Sequence, residues 1–284
     1  MKIAEISAFV ENGNILGCTY LKLKDKGIET LEELTQIKNL KRLDLSINNL
    51  DSLESIKYCW NLTDLNVSHN KITTFSCLSN LQNLTVLNVS HNKLTSLDSL
   101  LKCKNLYNSL KVLIANNNQI KYVPDLSVFK NLETIILSNN NIKEVVVPNQ
   151  YYNHLKKISL SHNNLRDFPF HCNFNNVSEL RLSHNKLLSI NPNIEYMGNL
   201  RILEIGNNYL INYDNLLNLI KLKSLSIINN PCFDDKKSIK EQLENLKIRL
   251  PMLEILNGNL ISRELRQSSK IKSFNKKKIL VSKN

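Results

Sequence analysis

The sequence predicts an α/β solenoid, in which one short strand per coil stacks on the next to form a parallel sheet. Three observations predict this fold. Most of the 284-residue chain repeats one frame, L-x-x-L-x-L-x-x-N-x-L, and successive copies begin 22 to 26 residues apart. The chain contains 44 asparagines but only six glycines and six prolines, so its turns depend on Asn. A fixed period of this length is typical of stacked repeats.

The first element in chain order is an N-terminal cap, residues 1–17. Ile3, Ile6, Phe9 and Val10 have helical spacing, and a helix with these side chains on one face would cover the apolar end of the first coil. No stretch of the chain reaches the length of about 18 apolar residues that a membrane span needs, and the N-terminal residues lack the apolar core of a signal peptide. We therefore expect an intracellular protein, cytoplasmic, nuclear or both, without a membrane partner.

The repeats occupy residues 18–232 in about ten coils of 22 to 26 residues. The first copy begins at Cys18 and has Lys26 where the other copies have Asn. The fourth and sixth positions are two residues apart, so on a strand both side chains point into the coil while the third and fifth point outwards. Each Asn follows its strand, where its amide can satisfy the backbone groups of a turn. These ladder asparagines are Asn48, Asn70, Asn92, Asn118, Asn140, Asn163, Asn185, Asn208 and Asn230.

The second half of each coil, such as Leu53-Glu54-Ser55-Ile56, is too short for a long helix. We expect 3-10 or single-turn helical segments there, on the convex side. Residues 262–284 hold eight basic side chains and one acidic side chain, a net +7 of the total of +12. This composition predicts a basic, disordered tail.

The sequence contains no motif of catalysis or metal binding. Its glycines form no G-x-G pair, which argues against phosphate-binding loops. His69, His91, His162 and His184 share a Ser-His-Asn frame, but neither Cys nor a carboxylate completes a ligand set, so a surface stack is favoured over a metal site. No nucleophile motif such as G-x-S-x-G is present. We therefore expect neither an enzyme nor a cofactor.

The outward third and fifth positions predict the character of the concave surface. An acidic end gives way to an exposed apolar middle and then to a mixed charged stretch. Apolar surface rimmed by charge commonly marks a partner site, although strands favour β-branched residues in any case. The expected partner-binding residues are Asp44, Asp64, Val86, Val112, Ile114, Ile136, Lys157, Glu179, Arg181 and Glu204.

Residues 39–60, NLKRLDLSINNLDSLESIKYCW, resemble the SDS22-like subclass of the leucine-rich repeat family, and the resemblance covers residues 18 to about 261. Asn229-Asn230-Pro231 and the later run from Leu250 to Gly258 are similar to the C-terminal cap of that subclass, with Asn257 in place of the usual Asp. The resemblance implies a horseshoe-shaped solenoid with a parallel concave sheet, and a C-terminal cap at residues 233–261 that covers the apolar end of the last coil. It also implies, more narrowly, a regulator that binds the catalytic subunit of protein phosphatase 1.

We expect a non-enzymatic protein-protein interaction scaffold that binds a partner of unknown identity on its concave face. Two alternatives stay open: an SDS22-like regulatory subunit of protein phosphatase 1, and a nuclear ribonucleoprotein component. The basic tail is compatible with nuclear import. It only weakly suggests nucleic acid, because Phe274 is the one residue of its Lys-rich segment that could stack on a base.

Overall fold

The computed structural model describes residues 1–10, 14–32, 34–146, 151–170, 174–233, 241, 246 and 249–261. The chain divides into two compact units, Met1–Asn164 (unit 1) and Leu165–Asn284 (unit 2). The tail of residues 262–284, Cys172 and part of the C-terminal cap, including Ile239, lie outside the described residues. Within the described ranges, every helix is too short or too polar to cross a bilayer.

In unit 1, each copy of the frame forms a three-residue strand. The strands of the frame are β1 (Tyr20–Lys22), β2 (Arg42–Asp44), β3 (Asp64–Asn66), β4 (Val86–Asn88), β5 (Val112–Ile114), β7 (Thr134–Ile136) and β9 (Lys157–Ser159). Two further strands outside the frame, β6 (Tyr122–Val123) and β8 (Glu144–Val145), have two residues each. A parallel sheet runs in the order β1-β2-β3-β4-β5-β7-β9. Its register pairs identical repeat positions, such as Leu43 with Leu65, which confirms the predicted solenoid.

The core of unit 1 lies behind this sheet. Side chains at the fourth position, such as Leu65 and Leu87, and at the sixth, such as Val67 and Val89, are buried. They lie on one side of each strand because strand side chains alternate. Burial of one such side chain stabilises the fold by about 1.5–3 kcal/mol, so the repeated frame supplies most of the apolar interior.

The convex segments of unit 1 are short, which confirms the prediction. They comprise α2 (Asp98–Leu101) and 3-10 turns at Glu54–Ile56, Ser76–Asn80 and Lys104–Leu106. A second, two-stranded parallel sheet, β6 with β8, was not predicted. It forms at the thirteenth and fourteenth positions of two coils, which lie outside the leucine frame, and Val123 and Val145 favour strand there.

The N-terminal residues of unit 1 form the helix α1 (Ile3–Ile6) and 3-10 turns at Ser7–Phe9 and Ile15–Gly17. Ile6 is fully buried, whereas Phe9 is 40% exposed. The Phe9 ring instead lies 5.0 Å from the Lys26 ammonium. The terminal amino group of Met1 donates a hydrogen bond to the carbonyl of Thr30 at 2.6 Å, which holds this segment against the first coil.

Unit 2 continues the same frame. Its strands are β10 (Glu179–Arg181), β11 (Ile202–Glu204), β12 (Ser224–Ser226), β13 (Ile255–Leu256) and β14 (Asn259–Leu260), with 3-10 turns at Pro192–Tyr196 and Asp214–Asn218. β13 pairs in parallel with β12, and β14 pairs with β13 in the antiparallel direction. Leu250, Leu253 and Leu256 are buried beside the last coil.

Candidate partner-binding surface

The ladder asparagines hold the ends of the strands that form the outward surface. Asn70 Oδ1 accepts a hydrogen bond from the Leu50 N–H at 2.9 Å. Asn70 Nδ2 donates to the carbonyls of Leu45 at 3.0 Å and Val67 at 3.1 Å. All nine ladder asparagines are at most 9% exposed. Because Leu50 and Leu45 belong to the preceding coil, each such Asn satisfies the backbone of the coil before its own.

The direction of these bonds accounts for both ends of the ladder. Lys26 replaces Asn in the first coil. No earlier coil of the frame precedes it, so an Asn at this position would have no backbone groups of a preceding coil to bind. The N–H groups of Lys26 and Ile28 instead donate to Asn48 Oδ1 at 3.0 and 2.9 Å. At the other end, Asn257 Oδ1 accepts from the N–H groups of Ile227 and Ile228 at 2.8 and 3.1 Å. Asn257 therefore satisfies N–H groups at the sixth and seventh positions of the last coil, whereas the Cys232 N–H at the eleventh position donates to the Leu210 carbonyl at 2.8 Å.

The residue before each ladder Asn lies in the left-handed region of backbone space. The φ angles are 56° at His69, 53° at His91 and 55° at Asn117. Asn, Asp and His tolerate this region better than other non-glycine residues. Ile47, with a φ of 58°, is a β-branched exception. Sequence reasoning missed this requirement, although the recurrence of Asn, Asp or His at the eighth position was a signal for it.

The predicted apolar residues of the concave face lie together on three neighbouring strands of unit 1. Val86 on β4 pairs with Val112 on β5, and Ile114 on β5 pairs with Ile136 on β7. All four side chains are half-buried, which corrects the expectation that they are exposed. Strands about 4.8 Å apart allow in-register side chains to cover one another.

A cavity of 280 Å³ lies on the outward face of β1 to β5. Its lining combines the predicted acidic end with part of the predicted apolar middle, while Val112 and Ile136 lie outside it. The lining residues are Tyr20, Arg42, Leu43, Asp44, Asp64, Leu65, Asn66, Val86, Asn88 and Ile114. The surface is therefore concave where the acidic residues meet the aliphatic ones.

The acidic end of the cavity is only partly neutralised. Arg42 Nε lies 3.9 Å from Asp64 Oδ2, and the two side chains are 70% and 40% exposed. Asp44 Oδ1 accepts a hydrogen bond from the Ser46 N–H at 2.9 Å. Among the residues that the structure describes, none forms an ion pair with Asp44. Arg42, Asp44 and Asp64 give the lining a net charge of −1.

Three predicted site residues form a separate ion cluster in unit 2. The Arg181 guanidinium contacts Glu179 Oε1 through Nε at 2.6 Å and Glu204 Oε1 through Nη1 at 3.3 Å. Arg181 is therefore paired rather than presented as a free cation. Lys157 lies on β9 of unit 1, which is joined to β5 through β7, and it does not line the cavity.

The imidazoles of His69 and His91 stack with ring centroids 3.9 Å apart and planes inclined by 11°. Asn117 Nδ2 lies 3.1 Å from His91 Nε2. Burial lowers the pKa of His91, and the neighbouring His69 lowers it further. No group of three or more potential metal ligands occurs within the described part of the chain. The pair favours the neutral state of His91.

None of the five cysteine thiols that the structure describes is activated, since the pKa of each is raised. Burial raises the pKa of Cys59 to about 12. Burial likewise raises the pKa of Cys18 and of Cys103. Because the thiolate is the nucleophilic form of cysteine, these side chains are suited to packing rather than to covalent chemistry.

Known proteins share this architecture. Residues 38–94 match the sequence model of the family described as leucine rich repeat. The internalin InlF of Listeria monocytogenes is 21% identical over 92% of this chain and 86% of its own, with a TM-score of 0.60. The leucine-rich repeat domain of APL1B is 19% identical over 89% of this chain and 72% of its own, with a TM-score of 0.67.

A chain in the octameric complex of latrophilin 3, Unc5D and FLRT2 is 22% identical over 90% of this chain and 80% of its own, with a TM-score of 0.69. The sequence matches no curated protein. Identities of this size support a shared fold and not a shared partner. The repeated frame, the stacked parallel strands and the likeness to these structures show that the chain has the fold of a leucine-rich repeat solenoid.

Proposed function

We propose that this chain is a non-enzymatic scaffold that docks a protein partner on the concave face of unit 1. The observation that carries the proposal is the cavity over β1 to β5, where acidic and aliphatic side chains meet on one surface. The buried core and ladder asparagines hold that surface in place, so binding requires little ordering of the scaffold. A concave surface with an apolar part and a few polar groups is typical of a binding site.

The size of unit 1 is adequate for such an interface. Its main sheet has six strand-to-strand steps from β1 to β9, which at about 4.8 Å each give a surface about 29 Å long. A standard interface buries about 800 Å² on each partner. The FLRT2 leucine-rich repeat, seen in a complex with latrophilin 3 and Unc5D, illustrates protein assembly by the same fold.

Two narrower functions remain as alternatives. The SDS22-like resemblance favours the catalytic subunit of protein phosphatase 1 as a candidate partner. However, Tyr20 is the only aromatic residue that lines the cavity, whereas that regulator is expected to present several aromatic side chains. A nuclear ribonucleoprotein role depends on the basic tail. Both alternatives use the chain as a scaffold, and partner identity distinguishes them.

The test is to compare partner capture by the native chain and by a variant with Ile114→Asp and Ile136→Asp. Proteins retained by each form are identified by mass spectrometry and then purified for direct binding measurements. We expect the double variant to lose the principal partner while circular dichroism shows an unchanged fold. Ile211→Asp is the matched control, since Ile211 is 71% exposed in unit 2. Capture retained by a folded double variant would contradict the proposed docking site.

A further inference from the structure

We infer that the cavity of unit 1 binds an extended peptide segment that carries a basic side chain and, two positions away, a large aliphatic side chain. This inference rests on the proposed function and specifies the partner chemistry of the same site. The peptide lies across the strands, with its basic side chain at the β2–β3 end and its aliphatic side chain at the β4–β5 end.

The basic side chain is recognised by two oriented carboxylates. Asp44 on β2 and Asp64 on β3 are diagonal neighbours, since Asp44 is in register with Asn66 and Asp64 with Arg42. One strand step and two residues place their Cα atoms about 8 Å apart, a separation that an ammonium or guanidinium group can bridge.

Hydrogen bonds hold both carboxylates in place. The Ser46 N–H binds Asp44 Oδ1 at 2.9 Å, and Thr63 Oγ1 donates to Asp64 Oδ2 at 2.6 Å. The other oxygen of each carboxylate is left for a ligand. Arg42 neutralises this end only in part, because its contact with Asp64 is 3.9 Å long and largely exposed. A cation is therefore favoured over an anion.

The peptide backbone is recognised by two amides in the middle of the cavity. Asn66 Oδ1 accepts from the Ser68 N–H at 3.1 Å, and Asn88 Oδ1 accepts from the Ser90 N–H at 3.0 Å. These bonds fix which end of each amide is the acceptor, so Nδ2 is left as a donor. Neither Nδ2 has a hydrogen-bond partner in the described part of the chain. Asn66 and Asn88 are register partners, so the two donors can reach carbonyls along one extended segment.

The aliphatic side chain is recognised at the opposite end by Val86 and Ile114, which are half-buried. Two strand steps separate this end from the acidic end, a distance of about 10 Å. Alternate residues of an extended peptide lie on one face about 7 Å apart. The length of a Lys or Arg side chain covers the remaining distance of about 3 Å. The basic and the aliphatic residue of the peptide are therefore expected to lie two positions apart.

The same chemistry disfavours nucleic acid as the occupant. Two carboxylates repel backbone phosphates, and single-stranded bases need aromatic or guanidinium surfaces on which to stack. Tyr20 and Arg42 alone among the lining residues offer such surfaces, and Arg42 faces Asp64. A protein segment satisfies the acidic, amide and aliphatic parts of the lining together.

The test is selection of random nine-residue peptides, displayed on phage, against the full chain. We expect enrichment of Arg or Lys two positions from Leu, Ile, Val or Met. A synthetic peptide with the enriched sequence should lose affinity roughly tenfold for a variant with Asp44→Asn and Asp64→Asn, and should bind less tightly at high salt. Asp51→Asn is the matched control, because Asp51 is exposed and lies outside this cavity, and it should bind as the native chain does.

Three outcomes would overturn the inference: enrichment without the basic residue, equal binding by the Asp44→Asn/Asp64→Asn variant, and displacement of the peptide by a mixed-sequence single-stranded RNA. Circular dichroism of each variant confirms that it is folded. If Ile114→Asp with Ile136→Asp abolishes partner capture but the peptides lack the pattern, only this inference fails. If that variant retains capture, the proposed docking site fails whatever the peptides show.

Discussion

Two adjacent residues at the end of each strand meet different demands. In the repeat frame, the eighth position, just before the ladder Asn, requires a positive φ. The ninth position, the ladder Asn itself, requires a buried amide that both donates and accepts hydrogen bonds. Asn suits both positions, since it tolerates the left-handed region and can satisfy several backbone groups. Asn117 and Asn118 fill the two positions in one coil, with a φ of 55° at the first and an exposure of 9% at the second.

Asn140→Ala should destabilise the chain by about 1–3 kcal/mol, because buried backbone groups lose their partner. Asn140 Oδ1 accepts from the Ile120 N–H at 3.0 Å, and Nδ2 donates to the carbonyl of Ala115 at 3.0 Å. Urea unfolding measures the effect. The control is Asn141→Ala, which alters an exposed side chain; Asn139 is unsuitable because its φ is 55°. Equal free energies of unfolding for the two variants would contradict the role of Asn140 in the ladder.

Ile47→Asn should stabilise the chain by about 1 kcal/mol, because it relieves backbone strain at a β-branched residue. Ile47 has a φ of 58° and is 42% exposed, so its replacement forfeits little apolar burial. The midpoint of urea unfolding should rise. The control is Ile211→Asn, at an exposed position without a positive φ, which should leave the midpoint of urea unfolding unchanged. A lower midpoint for Ile47→Asn would contradict the strain argument.

The stability of the chain should decrease as the pH falls through about 6.5, the ordinary pKa of histidine. The pKa of His91 is lowered in the folded state, so below that pH the unfolded chain binds more protons and folding is disfavoured. His91→Asn should reduce the loss of unfolding free energy between pH 7.5 and pH 5.5, the chosen experimental range. An unchanged pH dependence would show that the stacked pair does not bias protonation.

At the scale of whole elements, the strands and short convex turns follow from the frame itself. Alternation of Leu65 and Val67 with outward residues predicts which strand face is buried. The β6–β8 sheet and the cavity could not be predicted in this way. Both depend on how the side chains of neighbouring coils fit side by side, which the sequence of a single coil does not contain.

Neighbouring coils of unit 2 show such a fit at the seventh position, where Gly206 faces the next coil. A Cβ atom on Gly206 would lie 3.1 Å from Ile228 Cγ2 and 3.2 Å from the Ile228 carbonyl oxygen. Earlier coils have Ser at this position, as at Ser68 and Ser90. The absence of a side chain at Gly206 thus makes room for the larger Ile228.

Gly206→Ser should therefore destabilise the chain by about 1 kcal/mol through overpacking. Combining it with Ile228→Ser should recover part of this loss, since the Cγ2 contact disappears. Urea unfolding of the two single variants and the double variant forms a double-mutant cycle. Additive effects would mean that the two positions do not interact.

At the scale of the molecule, each of the two units is a compact body with its own stacked strands and buried leucines. The repeat period alone predicts this modular construction, because each coil contacts mainly its neighbours. It does not predict where the chain divides into units. The repeat frame does not predict the identity of the partner either. That identity depends on the residues at the outward positions, which the frame leaves free to vary.

A chain that ends at Ser262 should melt at nearly the same temperature as the full chain. The deleted residues contain no leucine frame and hold +7 of the formal charge, so the loss should instead alter localisation or salt-dependent binding. Differential scanning calorimetry measures the first effect and fluorescence microscopy the localisation. A large fall in melting temperature would show that the predicted domain boundary is misplaced.

The backward direction of the asparagine bonds has a consequence for biosynthesis. The Leu50 N–H binds an amide 20 residues further along the chain, and the same separation joins Ile72 with Asn92. At about 5–20 residues per second, a ribosome delivers that amide roughly one to four seconds after the group that needs it. A newly synthesised coil therefore cannot complete its backbone hydrogen bonds until the next coil has been synthesised. In the final coil, the N–H groups of Ile227 and Ile228 bind the amide of Asn257, which lies 30 and 29 residues further along the chain. These two bonds therefore form only after the cap sequence has emerged.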